Sequence, residues 1–552
     1  MVKKLSATLF LFFSLAMAAS AQENPINKVV ERPKLVVGIV VDQMRWDYLY
    51  RFSDLYGNDG FIRLLNEGFS YENTMVPYTP TYTAPGHTCI YTGSVPAIHG
   101  IIVNFWYDKR TGKNVYCTDD STVSTVGNNG MAGKMSPENM WTTTITDELR
   151  LSNNFKSRVF GVALKDRGAI LPAGHSANAA YWFDTTAGKF ISSTYYMKQL
   201  PVYVNQFNDK DMPGKYMAKK WETLLSIDKY TQSTADDKAY EDPIPGLKGV
   251  KFPHHLDSIT KGKYESFKYT PFAATFTFDF AKTIVDNERL GANNVTDFLT
   301  VSISSTDYAG HHFGPNSIEE EDTYLRLDKD IADFLEYLDD KFGKGNYLVF
   351  LSADHAVAHV PGFLAEHNIP AGTYSNAAIQ SKLNAMIESK YGIISCIPSV
   401  QNYQVYIDRN KIKEQGKNAN DIMNDVIGYL KGQLFIIDAV ETNKINTASI
   451  SQPQRECMIN GYNAQRSGDI QFMVKPGYFD YLPRGATHGA WNPYDAHIPL
   501  LFFGWQIKHG KTNRETYMTD IAPTIAAMLK IQMPNGSVGK VLEEVAGGGN
   551  RE

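Results

Sequence analysis

The chain has 552 residues, 43% of them hydrophobic and 20% charged, with a net charge of −5. This is the composition of a globular protein with a large core and room for insertions, and it excludes a disordered or fibrous chain. A mildly acidic balance provides no global field for gathering nucleic acid, so any recognition of phosphate has to be local.

The N-terminal stretch "MVKKLSATLFLFFSLAMAASAQ" reads as an export signal. Lys3 and Lys4 precede an apolar run, and Ala19-Ser20-Ala21 forms a small-residue cleavage site. The run is shorter than the roughly 20 apolar residues a membrane span needs. Residues 1–21 are therefore expected to be removed, leaving 22–552 as a periplasmic or secreted protein. Losing the two lysines moves the net charge from −5 to −7. Export permits disulfides among Cys89, Cys117, Cys396 and Cys457, and buried free thiols fit equally well. No CxxC pair exists, which argues against a thiolate metal site.

"KLVVGIVVD" (34–42) is a continuous β-branched run of the kind buried on both faces of a parallel sheet. A helix is expected over 46–67. Further buried strands are expected at 158–164, 297–304, 346–353 and 498–504, and helices around 140–151, 270–288, 318–341 and 519–530. That alternation predicts a doubly wound, mostly parallel α/β sheet flanked by helices. Two stretches, about 181–270 and 372–482, break the rhythm and are expected to form an inserted α+β cap.

Function in open α/β sheets gathers at the carboxyl ends of the strands. Asp42 ends the first strand. "SSTDYAGHHFG" follows the third and supplies Asp307 and His311, Asp354 and His355 end the fourth, and "ATHGAW" before the last carries His488. An Asp after a strand is ordinarily a turn former. Three Asp and three His at one expected sheet edge are a different matter. Imidazole mixed with carboxylate, without thiolate, suits Zn²⁺ and leaves Mn²⁺ or Fe open.

"YTPTYTAPGHTCIYTG" (78–93) crowds hydroxyls ahead of Pro85, which fits a first helical turn. Thr83 is expected near the N-cap, beside backbone donors that favour an anion, where a nearby cation would activate its hydroxyl. Thr79, Thr81 and Thr88 are the competing hydroxyls. If residues 165–167 of "ALKDRG" are extended, Lys165 and Arg167 project together and suit a phosphoryl group carrying two negative charges.

Asp42, "TAPGHT", "HGIIVN", "KDRG", "TDYAGHH", "ADH" and "THG", in this order, resemble the alkaline phosphatase superfamily across most of the mature chain. The chain is most similar to the secreted, phosphate-irrepressible alkaline phosphatases, whose catalytic domain is shared with nucleotide pyrophosphatase/phosphodiesterases. The resemblance implies two Zn²⁺ ions and a threonine nucleophile, Thr83. It places Asp307, His311 and His488 on one ion and Asp42, Asp354 and His355 on the other, with Thr83 bridging to the latter. Asn104, Lys165 and Arg167 would bind the phosphoryl oxygens. The implied activity is hydrolysis of small phosphate monoesters through a phosphothreonine. The acidic balance predicts no nucleic-acid partner, removal of the signal leaves no membrane segment, and with no coiled-coil pattern a monomer is expected.

The alternatives are a phosphodiesterase/nucleotide pyrophosphatase or a phosphonate hydrolase on the same site, and a non-catalytic zinc- or phosphate-binding protein. A formylglycine sulfatase is excluded by the lack of a Cys-x-Pro-x-Arg motif, Cys89 being followed by "IYTG". Ala356, Ala486 and Ala490 depart from wider superfamily patterns without touching the ligand set. His87 is expected to pack or cap, His312 to point elsewhere and His99-Gly100 to form a turn.

Overall fold

A computed structural model of the chain describes residues 31–480 and 484–547. The expected signal segment lies outside the described residues. Among those described, no helix is long and apolar enough to cross a membrane.

The β-branched runs become the centre of an eleven-stranded sheet. Its parallel heart places Tyr347–Ser352, Leu35–Val41, Asp297–Ile303, Val159–Ala163 and Ala179–Asp184 side by side in that order. Every residue of these strands is buried, as strands covered on both faces require. The long helices Phe272–Asn287 and Ile318–Phe342 pack against it, the latter capped by the Ser317 side chain accepting from the Glu320 amide. Leu500–Gly504 is a buried strand as expected, but it runs antiparallel to Tyr347–Ser352.

Three expectations are corrected. The helix over 46–67 is broken into Tyr48–Arg51, a 3₁₀ turn at Ser53–Leu55 and Phe61–Glu67. The turn-forming run Gly57-Asn58-Asp59-Gly60 interrupts it, and the Asp328 carboxylate accepts from the amides of Gly57 and Phe61 at 2.7 Å each. The strand Phe69–Met75, which joins the antiparallel side of the sheet, had no apolar run to announce it. The start of the 181–270 stretch belongs to the sheet itself. Ala179–Asp184 and Lys189–Ser193 form a hairpin across Gly188, at φ 69°. Phe183, Phe190, Phe207, Phe276 and Phe280 then knit this edge into the main core, with the Phe190 and Phe280 rings stacked at 4.2 Å. Short helices and turns make up the rest of that stretch.

Within 372–482, the strands Ser399–Gln401, Gln404–Tyr406, Ile470–Val474 and Ile436–Glu441 form a separate antiparallel sheet. Helices Asn376–Tyr391 and Ala419–Lys431 close over it around a second core that includes Leu383, Val405, Ile422 and Phe472. All four cysteines are free thiols, three of them buried.

Candidate metal and phosphoryl-transfer site

The carboxyl ends of the parallel strands bring the expected residues together. Asp42 follows Val41, and its amide donates to the Ile303 carbonyl at 3.0 Å, which keeps it level with the neighbouring strand. Asp307 lies in the first turn of helix Ser305–Phe313, with His311 one turn later on the same face. Asp354 and His355 lie beyond the last residue of Tyr347–Ser352, so leaving the sheet lets adjacent side chains converge. His488 arrives on a loop whose Ala486 carbonyl accepts from His311 Nδ1 at 2.8 Å.

Each of the three imidazoles is oriented by a backbone carbonyl. Nδ1 of His311, His355 and His488 donates to the carbonyls of Ala486, Ala356 and Thr81, at 2.8, 3.0 and 2.6 Å. Every Nε2 is thereby left as an acceptor turned toward carboxylates. His311 and His488 Nε2 are 3.2 and 3.7 Å from Asp307 Oδ1, and His355 Nε2 is 3.4 Å from Asp354 Oδ2 and 3.6 Å from Asp42 Oδ1. The His355 and His488 rings stack at 3.5 Å.

Asp307, His311 and His488 form one group able to hold a cation. A second joins Asp42 and His355 with Asp307, where Asp354 was expected. Lys165 accounts for this, since its Nζ lies 2.7 Å from Asp42 Oδ2 and 2.5 Å from Asp307 Oδ2 and draws the two carboxylates together. Asp42 Oδ1 and Asp354 Oδ2 are buried without a hydrogen-bond partner among the described residues. Two unpaired carboxylate oxygens facing imidazole lone pairs fit divalent cations, because uncompensated buried anionic oxygens are otherwise costly.

The electrostatics favour neutral imidazole at two of the three histidines; burial would lower His311 too, but the Asp307 carboxylate outweighs it and raises that imidazole instead. Burial, then the neighbouring Asp354 carboxylate, pushes Asp42 well above the usual carboxylate range. Burial, then His355 and His311, pushes His488 well below the ordinary imidazole value, and burial lowers His355 too. Neutral imidazoles are the ligating form. Burial alone would lower Lys165, but Asp307 and Asp42 outweigh it and keep the ammonium charged.

Thr83 is the first residue of helix Thr83–Thr92, one position inside the expected N-cap, which is Tyr82. Its Oγ1 is 3.5 Å from both His355 Nε2 and Lys165 Nζ. Asn104 Oδ1 accepts from the Ala84 amide at 2.9 Å, which fixes its Nδ2 as the donor end beside the helix N-terminus. The helix packs so closely on the Asp354 loop that a Cβ at Gly86 would meet the Asp354 carbonyl at 2.4 Å. Thr79 and Thr81 instead reach the carbonyls of Gly489 and Ala490, and Thr88 bonds back to Ala84.

Residues 165–167 are not extended. Lys165 caps helix Asp166–Ala173 and Arg167 lies in its first turn. Arg167 is held from the side, its Nη1 donating to Tyr116 Oη at 3.1 Å while Tyr116 donates to Asp166 at 2.8 Å. Arg167 Nε has no partner among the described residues.

Sequence reasoning missed Gln43 and Tyr116 and undervalued His87. His87 Nδ1 donates to the Thr83 carbonyl at 2.9 Å and lies 3.3 Å from Asp354 Oδ2, so it sits between the start of helix Thr83–Thr92 and the Asp354 carboxylate. A histidine one turn after Thr83 was the available signal. His312 points away, toward the Pro243 carbonyl, and His99 ends the short helix Pro96–His99 before left-handed Gly100.

The sequence profile of the type I phosphodiesterase/nucleotide pyrophosphatase family matches residues 36–495. The chain belongs to that family. It is 52% identical to alkaline phosphatase PhoV of Synechococcus elongatus, over 97% of this chain and 98% of that one. It is also 52% identical, over 97% of each chain, to a Myroides odoratus protein named calcium-transporting ATPase. Alkaline phosphatase PafA of Elizabethkingia meningoseptica is 51% identical over 94% of this chain and 96% of that one. The crystal structure of PafA superposes with a TM-score of 0.92, covering 94% of this chain and all of that one. The α/β architecture is thus the alkaline phosphatase-like fold shared by this family.

Proposed function

We propose that the chain is an exported alkaline phosphatase that hydrolyses phosphate monoesters through a phosphothreonine at Thr83, with the signal cut after Ala21. The similarity to PhoV and PafA supports phosphatase chemistry. The choice of monoester over diester rests on one observation, the buried Lys165 ammonium 3.5 Å from Thr83 Oγ1.

Two divalent cations would be held by Asp307, His311 and His488 and by Asp42, Asp354 and His355, with Thr83 Oγ1 beside the second set. Zn²⁺ suits this donor set, and bound there it supplies Lewis acidity that lowers the pKa of a nearby hydroxyl and stabilises the departing oxygen. Thr83 Oγ1 gives up its proton to solvent and forms the new bond to phosphorus as the ester P–O bond breaks, and the leaving oxygen takes a proton from solvent. Water then attacks the phosphothreonine in line, giving inorganic phosphate and restoring the hydroxyl. The helix N-terminus orients the phosphoryl group throughout. Asn104 Nδ2, Lys165 Nζ and the unpaired face of Arg167 donate to its equatorial oxygens, where charge is stabilised in phosphoryl transfer.

A diester has one negative charge and a second substituent, so it gains less from Lys165 and Arg167 and must fit beside them. The test is turnover of p-nitrophenyl phosphate against methyl p-nitrophenyl phosphate. A large monoester preference is expected, and diester preference would overturn the reading in favour of a phosphodiesterase.

A further inference from the structure

Gln43 is fully buried next to Asp42 and adopts φ 67°, a left-handed conformation uncommon for a residue with a side chain. In that conformation its backbone N–H donates to Asp354 Oδ1 at 3.1 Å. Its side-chain Nε2 donates to Asp307 Oδ1 at 2.7 Å. One residue thus fastens a carboxylate from each proposed cation site.

We propose that Gln43 is a positioning residue for both sites, an inference that rests on the two-cation reading above. A carboxylate oxygen offers two lone-pair directions. The Gln43 amide engages one on Asp307 Oδ1, which leaves the other to face His311 and His488 Nε2. The Gln43 backbone engages Asp354 Oδ1, which leaves Asp354 Oδ2 turned to His355 Nε2. Gly310, between the ligands Asp307 and His311, makes room for this amide. A Cβ there would lie 2.0 Å from Gln43 Oε1 and 3.1 Å from its Cδ. A side chain at 310 would therefore displace the amide without altering any ligand.

The test is Zn²⁺ retention against a graded chelator, read by metal analysis, together with the melting temperature of the metal-free protein. Gln43→Gly keeps the backbone donor and eases the left-handed conformation while removing the amide. Gln43→Met keeps the side-chain length and removes the donor, and Gly310→Ala dislodges an intact Gln43. All three are expected to release zinc at about 10–100-fold lower chelator, the usual effect of losing a partner of a metal ligand. The metal-free melting temperature of Gln43→Gly should match wild type. Wild-type retention in both Gln43 variants would overturn the proposal. So would weakened retention matched by an equal loss of metal-free stability, which would mark a packing role. A wild-type chain that binds no pair of ions would overturn the two-cation reading and this inference with it.

Discussion

Replacing Lys165 with methionine keeps the aliphatic stem and deletes the ammonium. Nζ lies 3.5 Å from Thr83 Oγ1, and the side chain is 1% exposed, so solvent screening is weak. A phosphorus bonded to Oγ1 falls within about 5 Å of that charge, where a pair of unit charges is worth ~3 kcal/mol at an effective dielectric near 20. A diester carries one negative charge and a monoester dianion two, so the monoester loses about that much more than the diester does. The expected outcome is a fall in kcat/KM for p-nitrophenyl phosphate about 100-fold greater than for its methyl diester. The substitution also leaves Asp42 and Asp307 without the cation between them. Breaking such a buried pair costs ~3–5 kcal/mol, visible in urea unfolding of the chelated protein and smaller once zinc is bound. Equal losses for the two substrates would refute the role given to Lys165.

Thr83→Ala should lower turnover by several orders of magnitude without releasing metal, since the six Asp and His residues proposed as ligands are untouched; metal analysis and a steady-state assay check both halves. Gly86→Ala drives a Cβ to within 2.4 Å of the Asp354 carbonyl and 2.7 Å of its Cβ, neither of which is a flexible chain end. It should cost ~1–3 kcal/mol in urea unfolding and displace helix Thr83–Thr92 from the Asp354 loop. His99 is fully buried, and burial, then Arg466, pushes it down to about 3. Below pH 6.5 the unfolded chain takes up a proton that the folded one refuses, so stability is whole above 6.5 and falls toward 3. The loss is ~1.4 kcal/mol per pH unit, or about 2 kcal/mol between pH 6.5 and 5. His99→Gln should flatten that slope, and an unchanged slope would show that another group sets it.

The strands were legible because five of them are short runs rich in β-branched and aromatic residues, and that located the sheet edge at which Asp42, Asp307, Asp354 and His355 meet. Phe69–Met75 was not legible, since it alternates Phe, Tyr and Met with polar residues at the sheet's antiparallel side, where one face needs less apolar cover. The turn "DTTAGKF" of the hairpin at 179–193 reads as hairpin-like in the sequence, but the irregular chain after it points to the cap and not to the main sheet. Lys165 and Arg167 were read in the wrong local geometry. A helix beginning at Asp166 holds them, and its anchor, Tyr116, comes from a distant hairpin no local pattern connects to it. Gln43 lay beyond sequence reasoning for the same reason. Its partners are 311 and 264 residues away, and its positive φ lies in a turn closed by the Met44 amide on the Val41 carbonyl, with no glycine or asparagine at 43 to announce it.

The account depends on a pair of cations gathered by side chains from three strand ends and one loop. Stripping the protein with a chelator and restoring Zn²⁺ stepwise, with monoester turnover followed at each addition, tests this most directly. Turnover should begin near zero and level off at two ions per chain. Full turnover in the stripped, folded protein would contradict it.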